Sequence, residues 1–76
     1  MNWERTHLGQ WHTHAGPLVL RVFLVVRGNG IYYHGYAHEH RADLERETLP
    51  EAQADAVELA RAMLLEGLAA LPKVPR

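Results

Sequence analysis

The six histidines of this chain all lie between His7 and His40. Imidazole titrates closest to neutral pH and is the commonest protein ligand for transition metals, so this cluster is the first place to look for chemistry. Two pairs carry the spacing His-x-His: His12 with His14, and His38 with His40. Alternate residues of a strand point to the same side, so each extended pair offers two ring nitrogens with a chelating spacing. These four residues are the candidate metal ligands. No aspartate is aligned to orient them, and the same pairs suit half-exposed sheet positions that hydrogen bond locally. The expectation is therefore no cofactor.

The second pair belongs to a longer pattern. From Ile31 to His40 the alternation is strict, with Tyr32, His34, Tyr36, His38 and His40 at even positions. On a strand these rings form one stripe.

Other chemistry is poorly supported. The chain has no cysteine, hence no disulfide, zinc-thiolate site or thiol nucleophile. Serine is absent, and Thr6, Thr13 and Thr48 are the only hydroxyls besides the tyrosines. Gly28-Asn29-Gly30 is not a phosphate loop, because no lysine and no helix follow it. A carboxylate pair across a cleft is not indicated, and so small a fold has little room for a pocket. The chain reads as a non-enzyme, with general acid–base work by a histidine as the remaining catalytic option.

Net charge is -1 and the pI is about 6.6, unlike a protein that binds nucleic acid mainly by charge. The charge is uneven: within residues 1–46, Arg5, Arg21, Arg27, Arg41 and Arg46 outnumber Glu4, Glu39, Asp43 and Glu45. No secretion signal is visible at Met1-Asn2-Trp3-Glu4-Arg5, and no apolar stretch approaches a membrane span. With no cysteine, the expected location is the cytoplasm, away from membranes.

The elements that must position the histidines follow from one change of hydrophobic period. The pattern is strand-like from Trp11 to His40 and helical from Thr48 onward. Leu18 to Arg27 is rich in β-branched residues and too continuous for a one-sided surface strand. Asn29-Gly30 signals a hairpin, and Ala15-Gly16-Pro17 a second turn. Thr48-Leu49-Pro50-Glu51 is a capping box with proline in the first turn. Val57, Ala60, Leu64, Leu68 and Leu71 mark the apolar helix face, flanked by Ala56, Met63 and Gly67. Glu51, Asp55, Glu58, Ala62 and Glu66 mark the polar one.

The predicted fold is α+β: a three-stranded antiparallel meander with one C-terminal helix packed on one face, β-β-β-α. Strands are expected near residues 3–14, 17–27 and 31–40, with Gly9 as a bulge, and the helix near 49–71. Residues 1–71 form one domain and 72–76 a flexible tail. Residues 41–47 read as a solvated charged connector.

A two-residue loop at Asn29-Gly30 pairs Arg27 with Tyr32, Val25 with His34, Phe23 with Tyr36 and Arg21 with His38. Val26, Leu24 and Val22 then meet Tyr33, Gly35 and Ala37 on the other side, an aliphatic and small-residue seat for the helix. Trp11 and Thr13 join that side, whereas His12 and His14 join the open one. The open face thus carries His12, His14, Arg21, Phe23, Val25, Arg27, Tyr32, His34, Tyr36, His38 and His40, with Arg21 to His38 as the expected contact residues. A face meant only for water rarely sets Val19, Phe23 and Val25 side by side. A protein partner, most simply a second copy forming a dimer, is the expected cover; the alternative is nucleic acid, with the arginines on phosphates and the tyrosines stacking.

Trp3 and Trp11 near the start, Gly16-Pro17-Leu18 opening an apolar strand, and Thr48-Leu49-Pro50-Glu51-Ala52 opening an alanine-rich helix resemble the small β-β-β-α proteins of phages and prophages. That resemblance spans most of the chain and implies an accessory role.

Overall fold

The computed structural model describes residues 2–70, with side chains through Gly67; the tail expected at 72–76 lies outside the described residues. One antiparallel sheet and one helix make an α+β fold, but the sheet has five strands rather than three. They are β1 (Glu4–His7), β2 (Gln10–Ala15), β3 (Leu18–Arg27), β4 (Gly30–Ala37) and β5 (His40–Arg46), neighbours in chain order, followed by α1 (Leu49–Ala70).

Both extra strands arise at tight turns. Gly9 is no bulge. Its φ of +77° closes a tight turn with Leu8, so the expected strand at 3–14 folds back on itself as β1 and β2. At the other edge His38 has φ +53°, a left-handed conformation that histidine tolerates better than most residues. With Glu39 it turns the chain after Ala37, and residues 40–46 return as β5 rather than as a solvated connector. The charges of β1 and β5 suit sheet edges, where they discourage pairing with another chain.

The central register differs in detail from expectation. The β3–β4 loop is Gly28-Asn29, with Arg27 opposite Gly30, Phe23 opposite His34 and Arg21 opposite Tyr36. Because the shift is two residues along one strand, every side chain keeps its expected face. Trp11, Thr13 and Ala15 oppose Val22, Leu20 and Leu18 on the helix side, while His12 and His14 oppose Arg21 and Val19 on the other.

The helix begins at the Thr48 cap, with Glu51 meeting the threonine hydroxyl rather than its backbone amide. The Glu51 N–H donates to Thr48 Oγ1 at 3.4 Å, and the Thr48 hydroxyl donates to the Glu51 carboxylate at 2.7 Å. Its sheet-facing stripe is alanine: Ala52, Ala56 and Ala60 are buried, flanked by half-buried Val57, Leu59 and Met63. The expected stripe through Leu64 is displaced, for Leu64 is 46% exposed; Leu71 and the side chain of Leu68 lie outside the described residues. The cause is Gly35. A methyl there would overlap the Ala52 carbonyl and stand 3.0 Å from the Ala56 nitrogen, so only a helix face of alanines can come this close. Arg46 then clamps β5 to the helix through two hydrogen bonds to Asp55, at 2.6 and 3.1 Å. The core is thin, and the only large side chains fully buried among the described residues are Leu20 and Val22.

Candidate sheet-face interface

The face of the sheet opposite α1 carries most of the candidate residues. Strand parity puts His12 and His14 of β2, Val19, Arg21, Phe23, Val25 and Arg27 of β3, and Tyr32, His34 and Tyr36 of β4 on that side. Aromatic rings hold its middle. Phe23 and Tyr36 meet edge to face with centroids 5.1 Å apart, and Tyr36 leans on His34 at 5.4 Å. Val25 pairs across with Tyr32, and both are half-buried.

His34 is the one polar residue buried within this face, at 7% exposure. Its Nε2–H donates to the Ala42 carbonyl at 2.5 Å. That carbonyl is free to accept because β5 bulges there: Gly35 alone stands between the pairs His34–Glu45 and Tyr36–Arg41, so Ala42, Asp43 and Leu44 oppose one residue. The buried ring is therefore tied to an irregularity that its own strand does not contain.

Arg27 reaches along the face to Glu45. Its Nε donates to one carboxylate oxygen at 3.2 Å and its Nη2 to the other. These hydrogen bonds, opposed by burial and helped by the charges of Arg27, His34 and Arg41, hold the Glu45 carboxyl below the usual carboxylate range. Arg21 is exposed between His12 and Tyr36 and pairs with no carboxylate among the described residues.

The two histidine pairs part company. His12 and His14 stay together, with ring centroids 5.7 Å apart at an interplanar angle of 87°. They line a hollow of about 520 Å³ with His7, Gln10, Val19, Arg21 and Phe23. His38, by contrast, sits in the β4–β5 turn, its backbone N–H bonded to the Val19 carbonyl at 2.8 Å. His40 pairs with Ala37 and so belongs to the helix side, in a hollow with Leu59, Met63 and Glu66. The stripe expected from Tyr32 to His40 thus ends at Tyr36. The two-residue turn at His38-Glu39 reverses parity.

Sequence reading missed Glu45, the Ala42 carbonyl and Glu4, which lies opposite His12. The alternation Arg41-Ala42-Asp43-Leu44-Glu45 was the available signal for β5, although it is weak in β-formers. As built, the face offers aromatic edges, two guanidiniums, Arg21 and Arg41, without a carboxylate partner among the described residues, and one adjacent imidazole pair. Among the described residues no three histidines, aspartates or glutamates gather around a point that would hold a metal, and no helix is long and apolar enough to cross a membrane. No family model, curated protein or solved structure matches this chain.

Proposed function

We propose that this protein is a small non-enzymatic accessory module that works by covering its open sheet face with a second copy of itself. One observation carries the reading: the face has an apolar, aromatic centre and a charged rim, with no layer of the described chain over it. Val19, Phe23, Val25, Tyr32 and Tyr36 are half-buried at the centre, and Glu4, Arg41 and the Arg27–Glu45 pair stand around them. Specific protein interfaces have this anatomy.

Two magnitudes support a second copy as the cover. Five strands about 4.8 Å apart and some seven residues long at about 3.3 Å each give a face on the order of 550 Å² before side-chain relief. A standard interface takes about 800 Å² of accessible surface per partner, which a relieved face of this size approaches. Among the described residues the helix side fully buries only Leu20 and Val22 as large side chains, so packing two sheets would add apolar burial that a small chain of 76 residues needs. Both signs of charge at the rim let a twofold set cation against carboxylate. A cysteine-free chain of this kind suits the reducing cytoplasm.

Light scattering across a wide concentration range tests the reading. The expected result is a mass that rises from monomer to dimer, and a Phe23→Glu variant that stays monomeric while keeping its circular dichroism. A chain monomeric at every concentration would sink it. The unpaired Arg21 favours one competing occupant, nucleic acid; a salt-sensitive mobility shift abolished by Arg21→Ala would establish that occupant instead.

A further inference from the structure

We propose that His12 and His14 form half of a transition-metal site, which a second copy completes with the same two residues. The geometry rests on the face-to-face reading above. Zinc holds histidine nitrogen at about 2.0–2.1 Å, which places each ring centre about 3.2 Å from the ion and two ring centres about 5 Å apart at a tetrahedral angle. His12 and His14 stand at 5.7 Å, roughly half an ångström beyond that spacing, on the same side of β2. The strand backbone has already brought them to chelating distance, and side-chain rotation on a strand surface covers the remainder.

A second observation concerns the ring of His12. Its Nδ1 is buried and has no hydrogen-bond partner. Buried polar atoms in native proteins nearly always have one, so this ring is not oriented by a bond within its own chain. Because Nδ1 is buried, ligation in the hollow would fall to Nε2, and that bond would fix the orientation of the ring. The carboxylate of Glu4, opposite His12, supplies countercharge, while Arg21 on the other flank opposes a dication.

The pair is not sufficient alone. Zinc with nitrogen and oxygen ligands is four-coordinate, and no third histidine, aspartate or glutamate of the described chain joins these two. The hollow above them, about 520 Å³, has room for two further imidazoles. In a face-to-face dimer whose twofold passes near β2, those imidazoles are the partner copy's own pair. His38 and His40 share the His-x-His spacing but fall in a turn and on the opposite face, and they serve as an internal control.

The test uses the tag-free full chain, stripped with chelator and titrated with zinc chloride at about pH 7.5, where imidazoles are free to ligate. Calorimetry should give one ion per two chains, and light scattering a dimer that zinc stabilises and chelator weakens. His14→Ala, at an exposed position, should lower zinc affinity at least about tenfold, as should the milder His12→Gln, whereas His40→Ala should leave it unchanged. No zinc uptake, one ion bound per monomer, or equal loss in His40→Ala would each overturn the site. A dimer that persists in chelator and takes up no zinc overturns the site yet leaves self-association standing. A chain monomeric in chelator that dimerises with zinc upholds the site and removes metal-free association.

Discussion

Where the helix crosses β4, small residues meet small residues; on the opposite face of the sheet, rings stand among charges. The helix side is sealed by proximity, since Gly35 and Ala37 of β4 receive Ala52, Ala56 and Ala60. Close backbone approach gives dense packing but little apolar area per residue. Phe23, Tyr32 and Tyr36 lie on the face that the helix leaves open, whereas Trp11 and Tyr33 meet edge to face on the helix side, beyond the alanine seat. The contrast teaches that the two faces answer to different demands: the first holds the chain together, and the second is shaped for contact.

The sharpest way to break the comparison is at Gly35. Gly35→Val should lift α1 off the sheet and abolish cooperative thermal unfolding followed by circular dichroism. Overpacking typically costs about 1–3 kcal/mol and more where backbone is struck, against a total of about 4–11 kcal/mol for a fold of this length. Near-native unfolding in that variant would show that the helix does not sit where the structure puts it. Gly67, with nothing within 4 Å, is the matching control, and Gly67→Ala should stabilise by about 0.5–1 kcal/mol.

Next in size is a pair of truncations, one from each face. Leu20→Ala should cost about 2–5 kcal/mol at any protein concentration, because its cavity lies within a single chain. Phe23→Ala should cost little in dilute solution and progressively more as concentration rises, because its cover is another chain. Denaturant midpoints measured at two concentrations separate the two. Equal concentration dependence for both variants would erase the distinction between the faces.

A smaller effect is expected at His34. His34→Leu keeps the volume but leaves the Ala42 carbonyl without its donor, a loss of about 1–3 kcal/mol if that carbonyl stays dry. Hydrogen exchange should quicken along β5 and not along β2. Unchanged protection in β5 would mean that the bulge holds without the imidazole.

The smallest effect belongs to Arg27–Glu45, an ion pair at the rim. The folded carboxyl is depressed, so its contribution is fully present above the unfolded carboxylate value and fades as pH falls through the folded one. Stability measured from pH 7 down to about pH 3 should fall less steeply in Glu45→Gln than in the parent. Parallel profiles would show that the pair contributes nothing measurable, as many exposed pairs do.

Local signals determined a good part of this protein. Alternation put His12, His14, Phe23, His34 and Tyr36 on one face, and the register shift to a Gly28-Asn29 loop did not disturb them, because strand parity survives a shift of two. The Thr48 cap and the seat at Gly35 and Ala37 were equally legible. The rest was decided by tertiary structure. Whether Gly9 bulges or turns depends on Leu24 donating to its carbonyl, a contact fifteen residues away that no local pattern encodes. The helix rotated onto its alanines because the space above Gly35 admits nothing larger, although leucines gave the stronger periodic signal. His40 left the histidine stripe because one residue, His38, took a left-handed turn, and a single reversal of parity is invisible until the neighbouring strand is in place.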